Sequence, residues 1–175
     1  DEKFLTGSSL LTSKFFCNYI TGNYITGNFL LGKDGIINNC NELFFAHRDI
    51  TEATIPQNIR VINSYAFQNC KKLECLTFSN EGIEEIRRES FAGCTKLSNV
   101  ITFPKTLQRI SYGAFRNDEN LRILNFYSDT IIFEPYCFQG CTNLKEINTR
   151  ASNIYIKQFQ QMFFYGISKK YLIEF

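Results

Sequence analysis

The chain has 175 residues, 44% hydrophobic and 21% charged, which is the composition of one globular domain and excludes wholesale disorder. Nineteen Lys plus Arg against seventeen Asp plus Glu leave a net charge of +2, too near neutral for the basic footprint that a nucleic-acid backbone demands. One His, one Met and no Trp, beside eighteen Phe, nine Tyr and seven Cys, remove most metal and acid–base chemistry. No apolar run approaches the roughly 18 residues of a membrane span, and no cationic leader is followed by an apolar segment. The opening at Asp1 rather than Met reads as a fragment or a processed product.

Residues 1–52 form the first region. Asn18-Tyr-Ile-Thr-Gly, Asn23-Tyr-Ile-Thr-Gly and Asn28-Phe-Leu-Leu-Gly repeat with a period of five. An odd period does not keep one face buried along a strand, whereas Thr-Gly-Asn is good turn chemistry. Lys33-Asp34-Gly35 is a further tight-turn signal between apolar runs. A β-rich N-terminal cap is expected. Cys40-Asn-Glu-Leu43 echoes a Cys-x-x-Leu step found downstream, so degenerate coils are the alternative for this region.

Residues 53–149 carry four copies of one phrase. The first reads Ile59-x-x-Ile62-x-x-x-Ala66-Phe67-x-x-Cys70-x-x-Leu73-x-x-Leu76. Its Phe recurs as Phe91, Phe115 and Phe138, in steps of 24, 24 and 23 residues, and its Leu as Leu97, Leu121 and Leu144 in the same steps. Leu73-x-x-Leu76-x-Phe78 ends in strand-like alternation, and Ala-Phe-x-x-Cys has the i, i+3 spacing of a short helical or 3-10 turn. One strand and one turn per 23–24 residues predict a β-rich solenoid whose coils stack at roughly 4.8 Å. No coil buries its apolar face alone, so the four Phe are expected to form a ladder, each contributing about 1.5–3 kcal/mol. The preceding column, Ala66, Ser90, Ala114 and Cys137, is small where the coil wall passes close. Residues 150–175 read as a degenerate capping repeat, with Ile156, Phe159 and Phe164 at the repeat spacing and Tyr171-Leu172-Ile173 as a final strand.

The phrase Ile-Pro-x-x-Ile-x-x-Ile-x-x-x-Ala-Phe-x-x-Cys-x-x-Leu over residues 55–73 resembles the BspA-like leucine-rich repeat, a family abundant in oral bacteria and anaerobic protozoan parasites. The resemblance covers residues 55–149 and implies a leucine-rich repeat array. Three departures mark the chain. Asp118 replaces the Cys of the third unit, Asn80 replaces the Pro of the second, and Thr130 beside Ile131 and Ile132 replaces the first aliphatic position of the fourth.

No catalytic constellation emerges, so an enzyme is not expected. Seven Cys include no C-x2-C pair, and Cys70, Cys94 and Cys141 share one repeat column as buried thiols rather than zinc ligands or disulfides. His47, between Ala46 and Arg48-Asp49, has no second His and reads as a solvated turn residue. Gly22, Gly27, Gly32 and Gly35 lack the ending of a phosphate loop. No metal and no cofactor is implied.

Function on a solenoid lies on the face made by its strands. With Leu76 and Phe78 inward, alternation turns Cys75, Thr77 and Ser79 outward, then Ile123, Asn125 and Tyr127, then Glu146, Asn148 and Arg150. The second unit carries one extra residue near Ile101, so Asn99, Ile101 and Phe103 complete these columns unless a bulge turns Phe103 inward. Phe103 beside Tyr127 then makes an exposed aromatic pair, a candidate binding hot spot. The expected function is protein recognition, as a monomer or as part of a larger array, without nucleic acid. The resemblance implies adhesion to host or matrix proteins at the cell surface. An intracellular scaffold is the alternative. Seventeen Asn without one Asn-x-Ser/Thr sequon lean toward a non-secretory location or a bacterial source, and the column-bound thiols suit a reducing compartment.

Overall fold

The computed structural model describes residues 30–31, 36–38, 41–55, 57–78 and 82–156. Their strands are β1 (Leu30–Leu31), β2 (Ile36–Asn38), β3 (Glu42–Ala46), β4 (Glu52–Ile55), β5 (Val61–Ile62), β6 (Cys75–Phe78) and β7 (Glu85–Ile86). They continue as β8 (Val100–Phe103), β9 (Arg109–Ile110), β10 (Ile123–Phe126), β11 (Thr130–Phe133), β12 (Glu146–Thr149) and β13 (Asn153–Ile156). The solenoid expected from the repeat is present, with two strands per coil rather than one. The odd members from β3 onward stack in parallel, and β1 and β2 extend that sheet antiparallel, giving the order β1-β2-β3-β5-β7-β9-β11-β13. The even members from β4 onward form the second face, as β4-β6 and as β8-β10-β12. The additional strand of each coil escapes sequence reading because β5, β7 and β9 are two residues long, too short to display alternation.

The Ala-Phe-x-x-Cys segment forms a run of i→i+3 turns between the two faces. Ala66 N–H donates to Asn63, Gln68 to Tyr65 and Cys70 to Phe67, and alternate N–H groups reach the next coil instead. Tyr65 donates to Arg88, Phe67 to Ser90 and Asn69 to Ala92, and the set repeats from Glu89, Phe91 and Gly93 and again from Gly113, Phe115 and Asn117. This alternation requires left-handed backbone at two positions per coil, occupied by Tyr65, Glu89, Gly113 and Tyr136, and by Asn69, Gly93, Asn117 and Gly140. In the second column Asn and Gly alternate for a packing reason. A Cβ on Gly93 would lie 2.6 Å from Asn69 Oδ1, and one on Gly140 would strike Asn117 Oδ1.

Between the faces the rings pile up as expected. Phe67, Phe91, Phe115 and Phe138 stack with centroids 4.7, 5.0 and 5.6 Å apart. A second ladder of Phe78, Phe103 and Phe126 runs beside it, at 5.6 and 4.7 Å, and Phe103 meets Phe115 edge-on at 5.7 Å. Ala66, Ser90, Ala114 and Cys137 are fully buried, as their small size implies. The column thiols are buried and free, and their S–H groups donate to the coil before: Cys94 to Phe67 O at 3.1 Å, Cys141 to Phe115 O at 3.0 Å.

The first coil, β3 to β4, lacks the long turn and crosses through His47, Arg48 and Asp49. Leu43 pairs with Ile62, so the Cys40-x-x-Leu43 echo does not place Leu43 in the Leu73 column. What would be missing on the turn side is supplied by Arg48. Its guanidinium donates to Ala66 O at 2.9 Å and Tyr65 O at 3.2 Å while lying over the Phe45 ring at 4.6 Å, and Ala46 N–H also reaches Ala66 O. His47 O faces Cys70 Sγ at 3.7 Å, which fills the acceptor position of the thiol column. At the other end β13 pairs with β11 so that Ile156 faces Phe133, three positions later in the repeat than its sequence spacing implies. Phe159, Phe164 and the strand expected at 171–173 lie outside the described residues.

Candidate interaction surface

The second face carries the outward columns. Parallel pairing sets Glu52 beside Cys75 and Thr54 beside Thr77. It sets Val100 beside Ile123 beside Glu146, and Thr102 beside Asn125 beside Asn148. The amides form a ladder: Asn148 Nδ2 donates to Asn125 Oδ1 at 3.0 Å, and Asn125 Nδ2 donates to Thr102 Oγ1 at 3.2 Å. Past the strand ends, Arg150 lies over the Tyr127 ring at 5.3 Å, and Tyr127 is 44% exposed.

Seven of the expected surface residues, Thr77, Asn99, Ile123, Asn125, Glu146, Asn148 and Arg150, reach solvent on or beside this face, as does Tyr127. Ile101 and Phe103 do not. Each is 1% exposed, and Phe103 stacks on Phe126 instead of standing beside Tyr127. The exposed aromatic pair is therefore absent, and Val100 and Thr102 hold the outward places. The cause is the extra residue between Leu97 and Ile101, which is taken up before β8 begins. Ser98 Oγ bonds the carbonyl of Val100 at 2.9 Å, and Asn99 O accepts the N–H groups of both Arg122 and Ile123. Absorbing the insertion ahead of the strand keeps Ile101 and Phe103 on the core side, because a one-residue slip would invert every side chain. Asn99 consequently sits ahead of the ladder, in a shallow recess with Lys96, Ser98 and Asn120. The second face is also split here, between β6 and β8. Ser79 lies outside the described residues.

The eight-stranded face is chemically different. Arg87 reaches Glu42, Glu85 and the Asn63 amide oxygen, and Arg109 pairs with Glu85 at 3.9 Å and Glu134 at 2.8 Å. Asn63 also donates to Glu42, and Tyr112 N–H donates to Glu134. Each charge along this stripe meets its opposite on a neighbouring position or one or two coils away.

The buried ionisable groups lie away from both surfaces. Asp118, in the Cys column, has no exposure; its Oδ1 accepts the Cys94 N–H at 2.7 Å and its Oδ2 has no partner. Burial holds its carboxyl well above the ordinary carboxylate range, against the opposing backbone hydrogen bonds from Cys94 and Gly93. Burial likewise raises the thiols of Cys94, Cys137 and Cys141, so they are poor nucleophiles. His47 accepts the Asp49 N–H through Nδ1 at 3.3 Å, and Asp49 pairs with Lys72 at 2.8 Å. Among the described residues no three His, Cys, Asp or Glu converge as metal ligands, and no helix is long and apolar enough to cross a membrane.

Comparison with known proteins places this geometry. A sequence model of the BspA type leucine rich repeat region matches residues 38–170 in six copies. No curated protein matches the sequence. A leucine rich cell surface protein from Faecalibacterium prausnitzii superposes with a TM-score of 0.55 at 20% identity, over 73% of this chain and 41% of that one. The leucine rich repeat protein of T. pallidum superposes with a TM-score of 0.54 at 20% identity, over 76% of this chain and 74% of that one. At that identity the likeness is one of fold. This chain thus spans well under half the length of the first of these relatives.

Proposed function

The chain belongs to the BspA-type leucine-rich repeat family, and from that membership we propose a non-catalytic module that recognises protein partners through its second face, with adhesion to a host or matrix protein at a cell surface as its use. The carrying observation is the contrast between the faces. On one, Arg and Glu satisfy each other; on the other, Val100 at 42% exposure, Ile123 and Tyr127 stand among amides and hydroxyls that keep spare hydrogen-bonding capacity. Exposed apolar area ringed by polar groups is the composition of an interface centre, and Tyr and Arg are its commonest anchors. The relative from Faecalibacterium prausnitzii is a cell surface protein, which favours the same use here.

The test is binding of the full chain to an immobilised panel of extracellular-matrix proteins by surface plasmon resonance. Ile123→Lys and Tyr127→Ala are expected to weaken binding at least tenfold while stability stays within about 0.5 kcal/mol, the range of surface substitutions. Arg109→Gln on the opposite face is expected to leave affinity unchanged. Binding indifferent to Ile123→Lys and Tyr127→Ala would falsify the assignment of the face. Failure to bind any matrix protein would count against the adhesive use.

A further inference from the structure

Among the described residues Arg150 differs from the other arginines stacked on rings, since Arg48 over Phe45 spends its donors on backbone carbonyls and Arg88 over Tyr112 pairs with Glu89. Arg87, Arg109 and Arg116 each pair with a glutamate, whereas the Arg150 guanidinium contacts the Tyr127 ring and no carboxylate. The acids nearest in sequence do not neutralise it. Glu146 points out of β12 four residues earlier, about 13 Å away along the chain, and Asp129 forms no ion pair with it. Around this group the surface sinks into an open recess of about 600 Å³, walled by residues 125–127 of one coil and 147–150 of the next. The recess contains one positive charge and no negative one.

Stacking on an aromatic ring holds a guanidinium flat and leaves its edge donors free, which is the arrangement that receives a carboxylate through two parallel hydrogen bonds. Asn148 stands two residues earlier on the same face. One of its amide hydrogens is used on Asn125 Oδ1, and the other is free to add a third donor. We propose that the recess between β10 and β12 is a carboxylate-binding pocket, in which Arg150 on Tyr127 forms the fork and Asn148 the flanking donor, and that it takes an acidic side chain of a protein partner. A single fixed cation matches a singly charged carboxylate better than the double charge of a phosphate monoester. The apolar Val100 and Ile123 stand at the other end of the strands, about 13 Å from the fork, a span that a polypeptide bridges and a free anion does not. This inference rests on the recognition reading of the face and names the chemistry at one end of it.

The test is a titration of the isotope-labelled full chain, followed by NMR at the Arg150 Nε–H and the Asn148 side-chain amide. The probe is N-acetyl-Gly-Asp-Gly-Asp-Gly-amide; its Asn counterpart, uncapped pentaglycine and sodium sulfate are run beside it. The acidic peptide is expected to shift both signals with a dissociation constant of about 1–10 mM, typical of one weak polar contact site. Arg150→Gln is expected to weaken it at least tenfold, and Arg150→Lys, which keeps the charge without the fork, by about threefold. Equal shifts from the Asn peptide, stronger shifts from pentaglycine or sulfate, or an unchanged constant in Arg150→Gln would each overturn the pocket. Matrix-protein binding that is lost in Ile123→Lys but not in Arg150→Gln overturns the pocket and keeps the face. Peptide binding at Arg150 with matrix binding indifferent to Ile123→Lys keeps the pocket and removes the face.

Discussion

The two faces of this solenoid come from one backbone operation repeated, yet they hold their coils together differently. On the eight-stranded face the inter-coil contacts are ionic, running from Glu42 through Arg87 and Glu85 to Arg109 and Glu134. Along the strands of the second face they are uncharged, from Thr102 through Asn125 to Asn148, and the ion pair Lys96–Glu74 lies ahead of the strands. Half-exposed ion pairs are screened by salt and bind little else once formed. An amide ladder uses one donor and one acceptor per residue and leaves the remainder for a partner. The comparison teaches that an array divides labour by side-chain charge, with the same strand geometry behind both surfaces.

What both faces share is the aromatic core, and removing part of it is the severest way to break the comparison. Phe91 is fully buried between Phe67 and Phe115. Phe91→Ala is expected to cost about 3–5 kcal/mol in urea denaturation and to loosen both faces together. A loss near 0.5 kcal/mol, the size of a surface substitution, would mean that the ladder is not the shared support.

Arg48 tests the end of the stack rather than its middle. Arg48→Ala removes the charged donor from the carbonyls of Tyr65 and Ala66, at an expected cost of about 1.5–3 kcal/mol. Amide hydrogen exchange is expected to rise first in the coil of β5 and β6, leaving β9 to β12 protected. Uniform loss of protection would show that the coils unfold as one unit.

Asp118 sharpens the comparison by placing a titratable carboxyl where neither face can reach it. Its folded-state pKa is raised by burial, so the folded chain holds this proton more tightly than the unfolded chain does. Its contribution is therefore fully present below the ordinary carboxylate range and is lost as pH rises through the raised value. Urea midpoints from pH 4 upward are expected to fall more steeply in the wild type than in Asp118→Cys, which restores the column residue. At neutral pH that variant is expected to be more stable by about 1–3 kcal/mol, the cost of one unsatisfied buried polar atom. Parallel profiles would show that Asp118 titrates normally.

The smallest effect belongs to the ionic face. Arg109→Gln is expected to cost about 0.5–1 kcal/mol at low salt and nothing measurable in molar NaCl. A salt-independent loss would mean that Arg109 acts through packing.

The Phe67 to Phe138 ladder was readable in the sequence because stacked coils require the same bulky residue at one period. Phe103 escaped the same logic. The step from Phe78 to Phe103 is 25 residues and that from Phe103 to Phe126 is 23, so fixed-period counting turns it outward. Only the local geometry of Ser98 and Asn99 restores the register, and with it Val100 and Thr102 replace Ile101 and Phe103 on the surface. Ile123, Asn125, Tyr127, Asn148 and Arg150 were legible because no insertion separates their coils from the reference spacing. The role of Arg48 left no mark in the sequence, since its partners are backbone carbonyls, which every residue carries.

The turn side gives the molecule a direction. Each N–H that crosses between turns, from Tyr65 to Asn117, points toward the C-terminal coil, so the peptide dipoles add in series with their negative pole where the Arg48 guanidinium sits. An extra coil inserted in the middle lengthens this series without disturbing its sense. Two copies brought together at like poles would oppose carbonyl to carbonyl or N–H to N–H, whereas unlike poles would continue the series. A contact that continued the series along the axis would have to be head to tail, the heterologous kind, because a two-fold contact sets like poles against each other.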